Sequence, residues 1–244
     1  MAQFQTLALR FHHNLEKFKN DSLSNIINFA SPVINFKYWE NDYYLASLID
    51  TRFALLKKNA DSSFSQVGEL MSKGMTKDFA ICSNSLFVVD IDSGLTVFSN
   101  PANLSSHTVF PQFKNYTKLT AADSIIILSN GKHSAIALKL NKEQNQIISK
   151  SVFAAAGGKI LSINNVNNGI LLQTANKVYV TNPELQIRKT YKNTLPRILK
   201  VIKNGSDLYA VFLGGEFAKL QFADSAITVQ NIYSFNYNPR NVII

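Results

Sequence analysis

The sequence contains one unit five times, and this repetition constrains the fold more than any other feature. Each unit has an apolar segment, a polar turn, a second apolar segment, a tight turn and a third segment with alternating side chains. The units cover residues 33–58, 78–100, 118–140, 159–182 and 197–222. Their second segments begin near Tyr44, Leu86, Ile125, Ile170 and Leu208. A period of about 41 residues predicts an array of similar supersecondary units.

The residues between the segments are typical of β-hairpin turns. The first and second segments are separated by Asn41-Asp42, Asn84-Ser85, Asn167-Asn168 and Asn204-Gly205. The second and third segments are separated by Ser93-Gly94, Asn130-Gly131 and Gly214-Gly215. Asn and Gly tolerate the positive φ angles of tight hairpins. Adjacent segments are therefore predicted to pair as antiparallel strands.

A fourth, more polar strand is predicted after each unit, at 63–70, 106–110, 147–154, 185–191 and 226–233. Four antiparallel strands that recur every 40 residues or so form the blade of a β-propeller. We therefore predict an all-β fold, a β-propeller with five recognisable four-stranded blades. The apolar first and second strands are expected inside and the fourth strands at the outer rim.

In strand order and period, residues 33–233 resemble the WD-repeat and related β-propellers. The short signatures of WD repeats are replaced here. The third strands end in FSN, KLN, VTN and QFAD instead of Trp-Asp, no Gly-His opens a unit, and Trp39 is the single tryptophan. The resemblance implies the architecture and no specific family. A two-sheet sandwich or an open meander is the alternative interpretation of the same spacing.

The two ends of the chain do not follow the repeat. We predict an N-terminal extension, 1–32, with a strand over 3–11 and a short helix over 14–29, followed by the propeller, 33–244. Leu15, Phe18, Ser22 and Ile26 mark the helical stripe. The last residues resemble the start of another first strand. Because an unpaired sheet edge invites aggregation, we expect the ends to meet, by closing the ring or by forming a sixth blade.

Composition excludes several classes of protein. A charged fraction of 17% with 17 Phe is unlike a disordered chain, and the single Cys82 excludes a disulfide-stapled scaffold. No segment approaches the roughly 20 apolar residues of a membrane span, and the N-terminus lacks the apolar block of a secretory signal. We expect a protein of the cytoplasm or nucleus without membrane insertion.

The net charge of +9 is concentrated in residues 144–206, which we call the basic sector. The sector holds nine basic residues and one acidic residue, Glu184, so it favours an anionic partner. Its predicted binding residues are Arg188, Lys189, Tyr191, Lys192, Arg197, Lys200 and Lys203. Strand alternation puts Lys189 on the apolar face, where its side chain must extend outward to reach solvent.

Three explanations of the basic sector remain open at this point. The favoured one is an acidic surface of a protein partner. An RNA or DNA backbone is the second, with Tyr191 stacking on a base. In the third, the charges only solvate an edge strand and discourage pairing between sheets.

No sequence pattern indicates catalysis, a metal or a cofactor. Cys82 is interpreted as a small interior residue. Asp90 and Asp92 lie at turns, where Asx hydrogen bonds explain them, although a hydrolase site would need such acids to converge with Asp50, Asp123 and Glu216 at one mouth of the propeller. The function predicted is a non-catalytic scaffold for protein–protein interactions in a larger assembly. The alternatives are a propeller that binds RNA or DNA in a ribonucleoprotein and, more distantly, a propeller hydrolase.

Overall fold

The structure is a computed structural model, and it describes residues 6–9, 14–19, 22–29, 31, 33–38, 42–48, 52–61, 63–71, 76–82, 85–98, 107–122, 124–141, 146–167, 169–234 and 241–243. These residues form β-strands joined by turns, with one short 3₁₀ helix at Pro111–Phe113. The strands, in chain order, are β1 (Thr6–Leu9), β2 (Asn14–Lys19), β3 (Ser22–Asn28), β4 (Val33–Tyr38), β5 (Tyr43–Leu48), β6 (Arg52–Lys58), β7 (Phe64–Met71), β8 (Thr76–Cys82), β9 (Ser85–Asp90), β10 (Gly94–Phe98), β11 (His107–Phe110), β12 (Lys118–Ala122), β13 (Ile125–Ser129), β14 (Ser134–Asn141), β15 (Gln146–Ala154), β16 (Ile160–Val166), β17 (Gly169–Thr174), β18 (Lys177–Thr181), β19 (Ile187–Lys192), β20 (Ile198–Asn204), β21 (Asp207–Phe212), β22 (Glu216–Phe222), β23 (Ile227–Ser234) and β24 (Asn241–Ile243).

Each strand pairs antiparallel with its neighbours in four-stranded sheets. Five sheets consist of consecutive strands: blade 1 (β4–β7), blade 2 (β8–β11), blade 3 (β12–β15), blade 4 (β16–β19) and blade 5 (β20–β23). A further sheet has the order β24-β1-β2-β3 and so combines the two ends of the chain. Leu7 lies opposite Ile243 where β1 pairs with β24.

The first strands of the sheets lie around the axis of the ring. Among these inner strands β12 contacts β8 and β16, β20 contacts β16 and β24, and β24 contacts β4. The remaining strands of each sheet follow outward in chain order, so that the fourth strands form the rim. The predicted β-propeller architecture and the predicted meeting of the ends are therefore confirmed.

The hydrophobic core lies between neighbouring blades. Every residue of β9, β10, β13 and β17 is buried, so the second and third strands carry most of the core. Phe53 of blade 1 meets Phe79 of blade 2 edge to face, with ring centroids 5.5 Å apart, and Phe153 of blade 3 meets Tyr179 of blade 4 at 5.1 Å. Because each sheet buries its faces against the next, the blades depend on one another for stability.

The repeat units of the sequence correspond closely to the strands. The fourth strands predicted at 63–70, 106–110, 147–154, 185–191 and 226–233 are β7, β11, β15, β19 and β23. Six predicted turn residues have the positive φ that motivated the prediction, at 63° for Asp42, 91° for Gly94, 68° for Gly131, 60° for Gly205, 133° for Gly214 and 86° for Gly215. Cys82 is buried in the core between blades 2 and 3, as expected of an interior residue.

The short helix predicted over 14–29 is wrong, because this segment forms the strands β2 and β3. They pair with Lys19 opposite Ser22, so Asn20 and Asp21 alone separate them. The predicted helical stripe extends across this Asn-Asp pair, which is typical of a tight hairpin. Pairing with β1 gives the segment the partners that an isolated strand would lack. Whether 33–244 folds without 1–32 stays a prediction.

No helix in the described ranges is long and apolar enough to cross a membrane.

Candidate partner-binding face

One face of the ring carries all the connectors between blades 2 to 5. Because adjacent strands are antiparallel, first strands begin where second strands end, so these connectors and the turns after the second strands share one face. We call it the connector face. Backbone hydrogen bonds join the two kinds of loop: Ala155 N donates to His133 O at 2.7 Å and Asn193 N donates to Asn176 O at 2.9 Å. The loops thereby form a continuous surface.

Basic residues accumulate on the connector face of blades 3 to 5 and the connectors that lead into them. This connector-face cluster consists of Lys114, Lys118, Lys132, Lys159, Lys177, Lys192 and Arg197. All are exposed except Lys118, which is half-buried at the start of β12. Glu216, at the start of β22, is the one acidic residue that the structure describes on this part of the face. The cluster therefore produces a positive field on one side of the ring.

The opposite face of the same blades carries carboxylates, and two of them are paired. Lys219 Nζ lies 2.7 Å from Asp207 Oδ2, and Lys189 Nζ lies 3.3 Å from Asp224 Oδ1. Glu184 lies in the turn before β19 on this face. Among the described residues of these blades, the connector face has one carboxylate and the opposite face has three, so the net charge is divided unequally between the two faces.

The basic sector of the sequence does not form one patch. Lys192 and Arg197 belong to the connector-face cluster, at the two ends of the connector 193–197. Arg188 is exposed near the other end of β19, on the outer rim. Lys200 is half-buried and Lys203 is exposed on β20, the inner strand of blade 5. The inner and outer strands of a four-stranded blade are three strand spacings apart, which is roughly 14 Å. Residues on an outer strand and on an inner strand therefore belong to different parts of the surface.

Lys189 extends outward from the apolar face, as strand alternation predicted. Its side chain is 40% exposed, and Nζ lies 5.3 Å from the centre of the Tyr191 ring. Desolvation lowers the pKa of Lys189, but the hydrogen bond to Asp224 and the contact with Tyr191 outweigh it, so the pKa is raised overall. Lys189 is therefore engaged within the propeller, between blades 4 and 5.

Tyr191 is buried, with 4% of its surface exposed, and its ring lies 6.3 Å from that of Phe222. A base has no access to a ring in this position. The stacking role predicted for Tyr191 is therefore withdrawn, and with it the aromatic element of a nucleic-acid interface.

Five members of the connector-face cluster were not among the predicted binding residues: Lys114, Lys118, Lys132, Lys159 and Lys177. Lys159 and Lys177 lie within 144–206, whereas the other three lie outside it, where basic and acidic residues are more evenly balanced along the chain. The repeat could have predicted their location, because Lys132 follows the turn residues Asn130-Gly131 and Lys118 begins a first strand. Residues at equivalent positions of the repeat share a face of the ring.

Lys118 has the most perturbed environment of the cluster. Desolvation lowers the pKa of Lys118, the positive charge of Arg197 lowers it further, and Asp78 acts in the opposite direction. Asp78 itself accepts hydrogen bonds from Phe79 N and from Leu119 N, both at 2.9 Å. Lys118 therefore interacts electrostatically with Arg197 and with Asp78, and the three residues lie near the starts of the inner strands β12, β20 and β8.

Of the candidate carboxylates of a hydrolase site, Asp90 has a structural role in a turn. Asp90 is 1% exposed, and its Oδ1 accepts hydrogen bonds from Asp92 N and Ser93 N, which is the Asx turn expected at this position. Asp50 and Asp123 lie outside the described residues. Among the described residues, no group of three or more His, Cys, Asp or Glu is placed to hold a metal ion.

No protein-family model and no curated protein matches the sequence. Several solved structures are similar in fold. A chain in the crystal structure of a nidogen/laminin complex has a TM-score of 0.70 at 10% identity, covering 98% of this chain and 97% of that one. A chain of a mitotic checkpoint complex has a TM-score of 0.66 at 7% identity, with 96% and 76% covered. Saccharomyces cerevisiae Sqt1 has a TM-score of 0.63 at 10% identity, covering 97% of this chain and 72% of that one.

These identities are low, so the likeness concerns the fold. The similar structures include WD-repeat propellers, as the strand order and period of the sequence indicated. The chain is an all-β propeller, with its blades formed by a divergent repeat.

Proposed function

We propose that this chain is a non-catalytic propeller that acts as an interaction scaffold in a larger assembly, and that it binds an acidic surface of a protein partner through the connector-face cluster. The observation that carries this proposal is the unequal division of charge between the two faces. Seven basic residues share the connector face of blades 3 to 5 with Glu216, whereas Lys189 and Lys219 are paired with carboxylates toward the other face.

A flat array of exposed Lys side chains favours a protein partner over a small molecule. Small-molecule sites are concave and mostly apolar, with few polar groups. Complementary charge steers a macromolecular partner and selects against wrong ones. Lys192 and Arg197 are the predicted binding residues that we propose as contacts, whereas Arg188, Lys200 and Lys203 lie outside the connector-face cluster.

The comparisons support a scaffold in a general way. Two of the similar chains come from structures named as complexes, a nidogen/laminin complex and a mitotic checkpoint complex. Propellers host many unrelated functions, so the fold carries less weight than the charge distribution.

Binding of RNA or DNA is the second candidate, since Lys side chains also contact phosphates. The buried ring of Tyr191 makes it the weaker one. A nucleic-acid backbone held by four to six phosphate contacts would show log affinity falling with log salt at a slope of roughly −3 to −5. An acidic protein would bind while single-stranded and duplex oligonucleotides show no measurable binding at about 50 mM salt.

The test compares two variants that remove the same charge. The connector variant replaces Lys132, Lys159, Lys177 and Lys192 with Gln. The control variant replaces Lys139, Lys150, Arg188 and Lys203 with Gln, all exposed and outside the connector face. In affinity purification from native cells with quantitative mass spectrometry, we expect a partner that is lost with the connector variant and kept with the control variant. If both variants keep every partner of the wild type, the charge is solvation and the proposal fails.

A further inference from the structure

The inner end of blade 3 on the connector face begins with Lys118. The position is fixed by the sheet, because Lys118 lies opposite Ser129 and Thr117 N donates to Ser129 O at 3.0 Å. β12 is an inner strand, so Lys118 lies at the axial opening of the ring rather than at its rim. It differs from the exposed lysines of the cluster in being half-buried.

Arg197 reaches the same opening from blade 5. It immediately precedes the inner strand β20, and the peptide group that follows it is held from two directions: Leu213 N donates to Arg197 O at 2.7 Å and Ile198 N donates to Gln173 Oε1 at 2.8 Å. The side chain is exposed. The positive charge of Arg197 lowers the pKa of Lys118, and β16, which contacts both β12 and β20, is the one inner strand between the two residues.

Among the described residues, one positive group, Arg197, and one negative group, Asp78, act on Lys118, so the three together carry a net positive charge. Asp78 is the nearby carboxylate, and each of its oxygens accepts a backbone N–H, from Phe79 and Leu119. No described residue forms a hydrogen bond or an ion pair with the Lys118 side chain. A half-buried ammonium without an ion-pair partner is costly, and an incoming anion would remove that cost.

We propose that Lys118 and Arg197 form an anchoring site at the axial opening of the connector face for a single carboxylate of the acidic protein partner. This inference rests on the proposed function and adds to it the two residues that bind the partner most strongly. The half-buried ammonium favours a ligand on a narrow stem. A side-chain carboxylate stands on one or two methylene groups, whereas a phosphate of a nucleic acid is part of a continuous backbone.

Arg197 contributes a different kind of contact from Lys118. Its guanidinium presents paired N–H groups that match the two oxygens of a carboxylate, and the ammonium of Lys118 adds a compact charge beneath them. The exposed lysines of the cluster then surround the anchor and bind neighbouring acidic residues through weaker, solvent-screened interactions.

The anchor is tested with a fluorescent decapeptide of alternating Asp and Glu, measured by anisotropy at about 50 mM salt. The variants are Lys118→Met and Arg197→Gln, and the matched control is Lys139→Met, which removes an exposed lysine from β14 in the same blade. We expect each anchor variant to weaken binding by about tenfold or more and the control by less than about threefold, with all variants folded by thermal melting.

Three results would overturn the anchor. If Lys118→Met and Lys139→Met weaken binding equally, the opening is not the anchor, and the proposed function still stands when the connector variant loses its partner. If a 20-nucleotide oligothymidine binds the wild type more tightly than the peptide and depends on Lys118, the anion is a phosphate. If the wild type does not bind the peptide at about 1 mM, no carboxylate site exists there.

Discussion

The buried side-chain amide of Gln173 forms hydrogen bonds with the backbone on either side of Arg197. Gln173 Nε2 donates to Pro196 O at 2.8 Å, and Gln173 Oε1 accepts from Ile198 N at 2.8 Å. Gln173 lies on β17 of blade 4 and Ile198 opens β20 of blade 5, so one side chain joins two blades at the connector face. The position of Arg197 therefore depends on packing inside the neighbouring sheet.

Gln173→Leu is expected to destabilise the protein by roughly 2–4 kcal/mol. The substitution leaves the buried Ile198 N without its acceptor, at a cost of about 1–3 kcal/mol, and removes the partly buried hydrogen bond to Pro196 O, which contributes about 1 kcal/mol more. The measurement is chemical denaturation. The matched control is Gln221→Leu, because Gln221 is exposed and its amide donates to Gln230 Oε1 instead of to a buried backbone group. Equal losses of stability in the two variants would contradict the role of Gln173.

Similar contacts recur between the inner strands, and they show what the sequence could reveal. Asn164 Oδ1 accepts from Val201 N at 2.9 Å, and Asn165 Nδ2 donates to Ala121 O, so β16 is joined to both of its neighbours. The hairpins follow from Asn, Gly and alternating apolar residues, which act locally. Contacts between blades join residues about 40 positions apart, so a single sequence gives no indication of them.

The candidate site shows the same limit. Positive charge along 144–206 was evident from the sequence, but its division between faces depends on strand direction and ring closure. Lys114 and Lys132 belong to the cluster although they lie outside that segment. Lys189 lies inside the segment but not in the cluster, because it is paired with Asp224 of blade 5. Tyr191 looked accessible on an outer strand, yet Phe222 and the rest of the core between blades 4 and 5 cover it.

Lys118→Met is expected to stabilise the fold at neutral pH, by up to about 3 °C in Tm, which corresponds to about 1 kcal/mol or less for a chain of this size. Burial makes the charged form unfavourable, and the pKa of Lys118 is lowered from 10.5 in the folded state. Between the lowered pKa and 10.5 the unfolded chain binds more protons, so wild-type stability rises with pH relative to the variant.

The pH dependence of the difference provides the check. Thermal melts of both proteins from pH 7 to about pH 10.5 should show the advantage of Lys118→Met shrinking as pH increases, since groups common to both cancel. Lys139→Met supplies the control, because Lys139 is exposed. A variant less stable than the wild type at pH 7 would mean that Lys118 supports the fold, and the cost attributed to its burial would be wrong.

Gly169→Ala is expected to cost roughly 1–3 kcal/mol or more, because a Cβ at this position would overlap the carbonyl oxygen of Thr181 on the adjacent strand. Backbone atoms in a paired strand cannot move aside as a flexible side chain can. Gly68→Ala is the control, since its nearest neighbour would be Leu55 Cβ at 3.5 Å, an ordinary contact. Urea unfolding of the two variants should separate them clearly, and similar midpoints would argue against the pairing of β17 with β18.

Deletion of residues 1–11 is expected to lower Tm and promote self-association. It removes β1, which pairs with β24 on one side and β2 on the other. The inner strand β24 would then present an unpaired edge. Deletion of residues 1–4 leaves all the described strands intact and serves as the control. Light scattering with size-exclusion chromatography measures the outcome, and a monodisperse deletion variant with unchanged Tm would show that the propeller does not depend on β1.

The central claim is that the location of the charge, rather than its amount, determines binding. The most direct measurement is the affinity of the acidic decapeptide for the connector variant and the control variant, each lacking four positive charges, over a series of salt concentrations. We predict that the connector variant binds at least about tenfold more weakly than the control and has a flatter dependence on salt. Equal affinities for the two variants would contradict the claim.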